Sequence, residues 1–204
     1  MPTGITIAEL GRPEFLADLD VQLAIYAAAM DADNEDLPSR RVIMERHSGH
    51  PRLRSLAAYD ERTGQMAGFA YGFQGCPGQW WHDVVWSAIA ATSGQEAAQG
   101  WLADALEIAE VHVRPEYQAR GIGRRLILML TADRPERTAL LSTRDAETRA
   151  RRLYRSLGFA DLVTAFVFPG GGPRYAVMGA PLPLRADISP EATAPPRSPR
   201  PSNW

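Results

Sequence analysis

The sequence predicts an α/β domain on a mixed, mostly antiparallel sheet, and three observations lead there. Two alternating runs, LRSLAAYDE and MAGFAYGF, flank the turn ERTGQ and read as a β-hairpin. ALEIAEVHV (105–113) and TALLSTR (138–144) read as strands joined by a helical stretch, which makes them a parallel pair with a right-handed crossover. A second hairpin, 160–168 with 174–182, closes around PGGGP. One parallel pair among antiparallel ones excludes a doubly wound sheet.

Taken in order, GITIAEL (4–10) is a short first strand. Pro13 stands where a helix starts, and Phe15, Leu19, Leu23, Tyr26 and Met30 recur at helical spacing, predicting one amphipathic helix over 13–30. The acidic DADNEDLP (31–38) breaks it, and 39–48 is a second helix. After the first hairpin, WWHDVVWSAIAA predicts a helix over 80–91, followed by a polar stretch to 102. Gly121 to Asp133 is a helix with a strongly apolar face. Ala146, Ala150, Leu153 and Leu157 share another helical face, which Gly158 caps. The domain spans 1–184. The remainder, 185–204, carries five prolines and few apolar residues, so it reads as a disordered tail.

Composition narrows the function. Across 204 residues, 45% are hydrophobic, an ordinary globular value, and a net charge of −2 argues against a nucleic-acid binder. No apolar run is long enough to span a bilayer, and the first ten residues lack a signal pattern. The single cysteine, Cys76, excludes an internal disulfide and fits a reducing cytoplasm; with no His–Asp constellation evident around it, it reads as structural. His47, His50, His82 and His112 lack metal-ligand spacing, so no metal is expected. There is no lysine anywhere in the chain.

The stretch PEYQARGIGRRL raises the sharpest question. A dinucleotide fingerprint needs a third glycine where Leu126 stands, and a Walker loop needs a lysine. What remains is Gln118-x-x-Gly121-x-Gly123 opening a helix. Glycines allow close approach of the backbone, and a helix N-terminus favours an anion, to which Arg120, Arg124 and Arg125 could add charge. A tight strand-to-helix turn with no ligand explains the glycines equally well.

VRPEYQARGIGRRL resembles motif A of the GNAT superfamily of N-acetyltransferases, with its V-x-P-x-x-[QR]-x-x-G-x-[GA] pattern. RARRLYRSLGF resembles that superfamily's later A-x-x-x-Y-x-x-x-G-F segment, at Ala150, Tyr154, Gly158 and Phe159. Glu147 departs from the asparagine that members often carry three residues before this alanine. The order of elements is similar to the GNAT fold from about residue 4 to 182. The resemblance implies that the central parallel pair splays to hold acetyl-CoA as co-substrate. The diphosphate would rest on Gln118, Ala119, Arg120, Gly121, Ile122, Gly123 and Arg124, with the pantetheine along the backbone of Val111, His112 and Val113. It implies an acetyl group moved directly to a primary amine of a small molecule or a protein. A homodimer is compatible with the chain's size. The alternative is a domain that senses acyl-CoA without turnover.

Such a transfer needs a base for the ammonium, an oxyanion stabiliser and an acid for the thiolate. Tyr154 matches the family's general acid. For the base, strand alternation places Glu107, Ala109, Val111 and Val113 on one face and Ile108, Glu110 and His112 on the other. Glu107 has the family's spacing before Gln118 and is preferred. A bulge would instead promote Glu110 or His112, and proton loss to water needs no dedicated base. Asp31, Asp33, Glu35 and Asp36, in the loop that shapes the acceptor side in this family, would favour a cationic amine or are simply solvated. Trp80, Trp81 and Trp86 fall in a segment that is usually short in the family, and either line the acceptor pocket or pack that segment onto the sheet.

Overall fold

The computed structural model describes residues 4–31 and 37–184. The acidic positions Asp33, Glu35 and Asp36, and the proline-rich 185–204, lie outside these. Seven strands form one sheet in the order β1-β2-β3-β4-β5-β7-β6. They are β1 (Ile5–Leu10), β2 (Arg54–Asp60), β3 (Met66–Gly75), β4 (Ala105–Val113), β5 (Thr138–Arg144), β6 (Ala160–Phe166) and β7 (Tyr175–Pro181). β4 and β5 are parallel, with Ala105 to Glu107 opposite Thr138 to Leu140. The pairs β1–β2, β2–β3, β5–β7 and β6–β7 are antiparallel. The mixed sheet read from the sequence is therefore present, with β4 and β5 at its expected bounds.

The helices are α1 (Arg12–Ala17), α2 (Leu19–Met30), α3 (Leu37–His47), α4 (Trp80–Ser93), α5 (Gln95–Leu102), α6 (Ile122–Thr131) and α7 (Arg149–Ser156). Three differ from the sequence reading. The single helix predicted over 13–30 is broken at Asp18 into α1 and α2, and the Phe15 carbonyl at the break accepts from Gln22 Nε2 at 3.0 Å. That bond is buried, so it replaces water that cannot reach the site. The polar stretch before 102 is a second helix, α5, entered through Gly94 at φ +90. α7 starts at Arg149 rather than Ala146, because Thr148 takes the N-cap position and its side chain accepts from the Arg151 N–H.

The chain divides into two compact units, Met1–Gln74 with Ile108–Ala132 and Gly75–Glu107 with Asp133–Trp204. The first is built on Phe15, Leu19, Leu23, Ile25 and Met44 from the helices, packed on Ala57, Phe69, Tyr71 and Phe73 of the strands. Gly68 permits close passage of β3 along β4, since a Cβ there would lie 2.7 Å from the His112 carbonyl oxygen. In the second unit, Val85 and Ile89 of α4 and Ala98, Trp101 and Leu102 of α5 pack on Ala105, Leu140, Val163 and Val177. Trp81 and Trp86 join that cluster at its margin, so these two tryptophans pack the α4–α5 segment. Among the described residues no helix is long and apolar enough to cross a membrane.

Candidate active site

The first unit holds the glycine loop. β4 ends where the Arg114 N–H bonds the Ala67 carbonyl at 2.9 Å and its Nε bonds that of Met66 at 2.9 Å. A 3-10 turn over Pro115–Tyr117 follows, tied down by the Tyr117 hydroxyl on Asp60 Oδ2 at 2.8 Å. Two left-handed residues, Ala119 at φ +61 and Gly121 at φ +78, then swing the chain into α6. For an alanine this conformation is uncommon, and left-handed residues alternating with others turn successive amides toward one anion. No side chain caps the N-terminus of α6. A Cβ on Gly121 would meet nothing within 4 Å, so that glycine answers to backbone angle and not to crowding.

The side chains of this loop shape it more than they charge it. Gln118 Nε2 donates to the Val113 carbonyl at 3.0 Å and staples the loop to the end of β4. Arg120 bonds the Glu116 carbonyl and lies over the Tyr117 ring, while Arg125 turns back to the Ile5 carbonyl. Arg120 and Arg125, two of the three arginines expected to add charge here, thus bond backbone carbonyls of the protein instead.

Beside the loop, β4 breaks the alternation of faces. Ala109 packs against the Phe15–Phe73 cluster, and the next residue, Glu110, bonds Arg40 of α3 at 2.9 Å. Both thus meet the same layer, as a bulge allows and strict alternation does not. Glu110 also accepts from His112 Nε2 at 2.5 Å. Burial alone would push its carboxyl up, but the hydrogen bond and charge of His112, with Arg40, more than offset that and leave it below the ordinary range. Tyr26 completes the cluster, its hydroxyl 3.1 Å from Arg40 and its ring edge-on to His112. Nearby His47 bonds the Tyr71 hydroxyl, and burial, with His50 beside it, lowers its pKa to about 4.

The second unit holds the other two sequence candidates. Glu107 is 5% exposed, and its Oε2 has no hydrogen-bond partner. Burial alone raises its pKa to about 8. Tyr154, on α7, is buried with its ring edge-on to Phe159 at 5.9 Å. α7 is anchored by Arg151, which bonds both Asp145 and Asp161, and Asp145 also accepts the Ala165 N–H. Glu147, in the place where an asparagine was expected, pairs with Arg155 at 2.6 Å. Sequence reasoning did not single out Arg40 or Gly68, and read Tyr26 only as part of a helix's apolar face. A glycine inside the alternating run MAGFAYGF was the one signal available for Gly68.

The family model described as "Acetyltransferase (GNAT) domain" matches residues 54–161, more than half of the chain. The chain belongs to the GNAT acetyltransferase family. A curated relative of this GNAT chain, the GCN5-like protein acetyltransferase Rv2170 of Mycobacterium tuberculosis, is 39% identical over 123 residues, 58% of this chain and 60% of the relative. This GNAT chain therefore spans about 60% of that relative's length. Among solved structures, the Escherichia coli ribosomal-protein-S18-alanine N-acetyltransferase shares the fold at a TM-score of 0.56 and 19% identity, over 93% of this chain and 99% of that one. The yncA protein of Salmonella typhimurium, solved with its cofactor acetyl-CoA, does so at 0.58 and 18%, over 91% and 98%. At such identities the likeness carries the fold alone.

Proposed function

We propose that the protein is an acetyl-CoA-dependent N-acetyltransferase acting on a primary amine, and that the amine belongs to a protein. The observation that carries the activity is the left-handed Ala119/Gly121 loop opening an uncapped α6, on the motif that marks the family's co-substrate site. The residues present fit a diphosphate, because the loop offers backbone amides at a helix N-terminus and its side chains leave them uncapped. Family membership supports acetyl transfer. The protein acceptor rests on the Mycobacterium relative, whose name specifies protein acetylation.

In this reading, acetyl-CoA supplies a thioester whose carbonyl carbon accepts the amine. The amides of 118–124 hold its diphosphate, and the backbone of Val111 to Val113 aligns the pantetheine. Glu107 in its carboxylate form takes one proton from the ammonium. Glu110 and His112, which the lost alternation would promote, are bonded to each other, and Glu110 also to Arg40, which keeps Glu107 the preferred base. Its raised pKa makes it a far stronger base than an ordinary glutamate, close to the operating range of such enzymes. The C–N bond forms as the C–S bond breaks, and a second amine proton leaves to solvent. Tyr154 gives its hydroxyl proton to the thiolate and is reprotonated from water, so one proton is released per turnover.

Thiol release from acetyl-CoA, measured with a lysine peptide, an N-terminal-alanine peptide and a polyamine, tests the reading. Transfer to a peptide amine is expected. Transfer to the polyamine alone would move the acceptor to small molecules, and acetyl-CoA binding without transfer to any of the three would leave a sensor.

A further inference from the structure

Glu107 is buried, so a proton it takes from the substrate must have a way out. In the second unit only two buried side-chain atoms among the described residues lack a hydrogen-bond partner, Glu107 Oε2 and His82 Nε2. Such atoms are rare enough in native proteins that each calls for an explanation. The two share one layer. Glu107 stands opposite Leu140 in the β4–β5 register and two residues from Ala105 on the same face. Leu140 and Ala105 belong to one buried cluster with Val85 and Ile89 of α4, and His82 is buried on the same helix. At the far end of β3, a Cβ placed on Gly75 would lie 3.5 Å from the Ala105 carbonyl oxygen and 3.6 Å from His82 Cδ2, the carbon bonded to Nε2. The Nε2-bearing edge of the imidazole therefore lies at the Gly75/Ala105 end of β3 and β4, two residues along β4 from Glu107.

The other edge of the ring leads outward. His82 Nδ1 is 3.0 Å from Asp83 Oδ1, and Asp83 is 54% exposed. The hydrogen bond from His82, with that from the Gly78 N–H, holds the Asp83 carboxyl below its ordinary range. An ionised carboxylate only accepts, so His82 donates to Asp83 from Nδ1, and Nε2 is the nitrogen left to exchange a proton on the inner side. The Trp86 ring stacks on the imidazole and fixes its plane. Among the described residues burial alone perturbs Glu107, and Asp83 is bonded to His82.

We infer that His82 and Asp83 form the proton exit of Glu107, carrying the substrate's proton from a buried carboxyl to solvent. The inference rests on Glu107 acting as the base. Because neither atom bonds the other, Glu107 loses its O–H proton to a bridging water, and His82 Nε2 gains one from that water. The Nδ1 proton passes by way of Asp83 to bulk water, and rotation of the imidazole, with tautomer exchange on its solvent side, restores the Nδ1–H form before the next turnover. Only O–H and N–H bonds change. The α4–α5 segment then has two tasks on one helix, covering the base and draining it.

The test combines three readings on the full chain. Nitrogen-15 NMR of His82 should show the Nδ1–H tautomer at neutral pH; an Nε2–H tautomer overturns the exit. His82→Ala should lower the rate of thiol release from acetyl-CoA with a peptide amine by on the order of 10²-fold. Free imidazole in the buffer should restore part of that loss, with the KM for acetyl-CoA unchanged. Wild-type turnover in the variant, or a loss that imidazole does not relieve, overturns it. Asp83→Asn, at an exposed position, guards against misfolding of the first variant and should slow turnover several-fold; no change there overturns the outer half of the path. A wild-type protein that binds acetyl-CoA but transfers to no amine overturns this inference and the acetyltransferase reading together. Transfer that is indifferent to both substitutions overturns this inference alone.

Discussion

β4 meets different surroundings along its length. Its first residues lie in the layer covered by α4, where Glu107 has apolar neighbours, an unbonded oxygen and a pKa raised to about 8. Three residues on, Glu110 is just as buried, yet His112 and Arg40 supply a hydrogen-bond donor and a full charge. One carboxyl is therefore neutral at pH 7 and the other ionised, from the same side chain on the same strand. Burial does not decide the charge of a glutamate; the partners it is buried with do.

The difference can be broken from either end. The largest effect is expected at Glu107. Glu107→Gln keeps the shape and the neutral state while removing the proton acceptor, so turnover should fall by about 10²–10⁴-fold in a thiol-release assay. Tyr154→Phe should cost on the order of 10²-fold or more by the same assay, with acetyl-CoA affinity by calorimetry unchanged. Wild-type turnover there would return Tyr154 to packing.

Glu110→Gln acts on the fold instead. It leaves Arg40 without its anion, and because Arg40 is itself 32% exposed the loss should be about 2 kcal/mol in denaturant unfolding, below the ~3–5 kcal/mol typical of a fully buried pair. The two carboxyls also bend the pH profile of stability in opposite directions. Between an unfolded value of 4.5 and a folded value of about 8, the folded chain holds one more proton at Glu107. That contribution is full below the lower value and is lost as pH rises through the upper one, at up to about 1.4 kcal/mol per pH unit. The depressed pKa of Glu110 contributes stability above its unfolded value, and this is lost as pH falls through the folded value. Stability against pH for the two Gln variants separates these slopes.

The smallest effect expected is on the chain's own mass. With no lysine in the sequence, incubation with acetyl-CoA should leave the mass unchanged. A stable gain mapped to Cys76 would replace direct transfer with an acyl-enzyme.

Much of this was legible in the sequence. β4 and β5 were readable to the residue because their apolar runs end in turn residues, and Tyr154 and the glycine loop stood out by motif. The break at Asp18 was not, since Phe15 through Met30 keep helical spacing across it; only a buried Gln22 amide reaching the Phe15 carbonyl gives it away. α5 was hidden because QEAAQGWL is short and opens on polar residues, and its packing depends on Trp101 and Leu102 meeting strands far off in sequence. The loss of alternation between Ala109 and Glu110 was foreseeable only as a contingency. It shows only in tertiary contacts, Ala109 on the first unit's cluster and Glu110 on Arg40, which no local pattern encodes.

Carbon-13 NMR titration of the glutamate carboxyls in the full-length protein, assigned with Glu107→Gln and Glu110→Gln, needs no acceptor and reads the poised base directly. Glu107 should titrate with a midpoint near 8 and Glu110 below the ordinary glutamate range. A Glu107 midpoint between about 4 and 5, where an unperturbed glutamate titrates, would contradict the account.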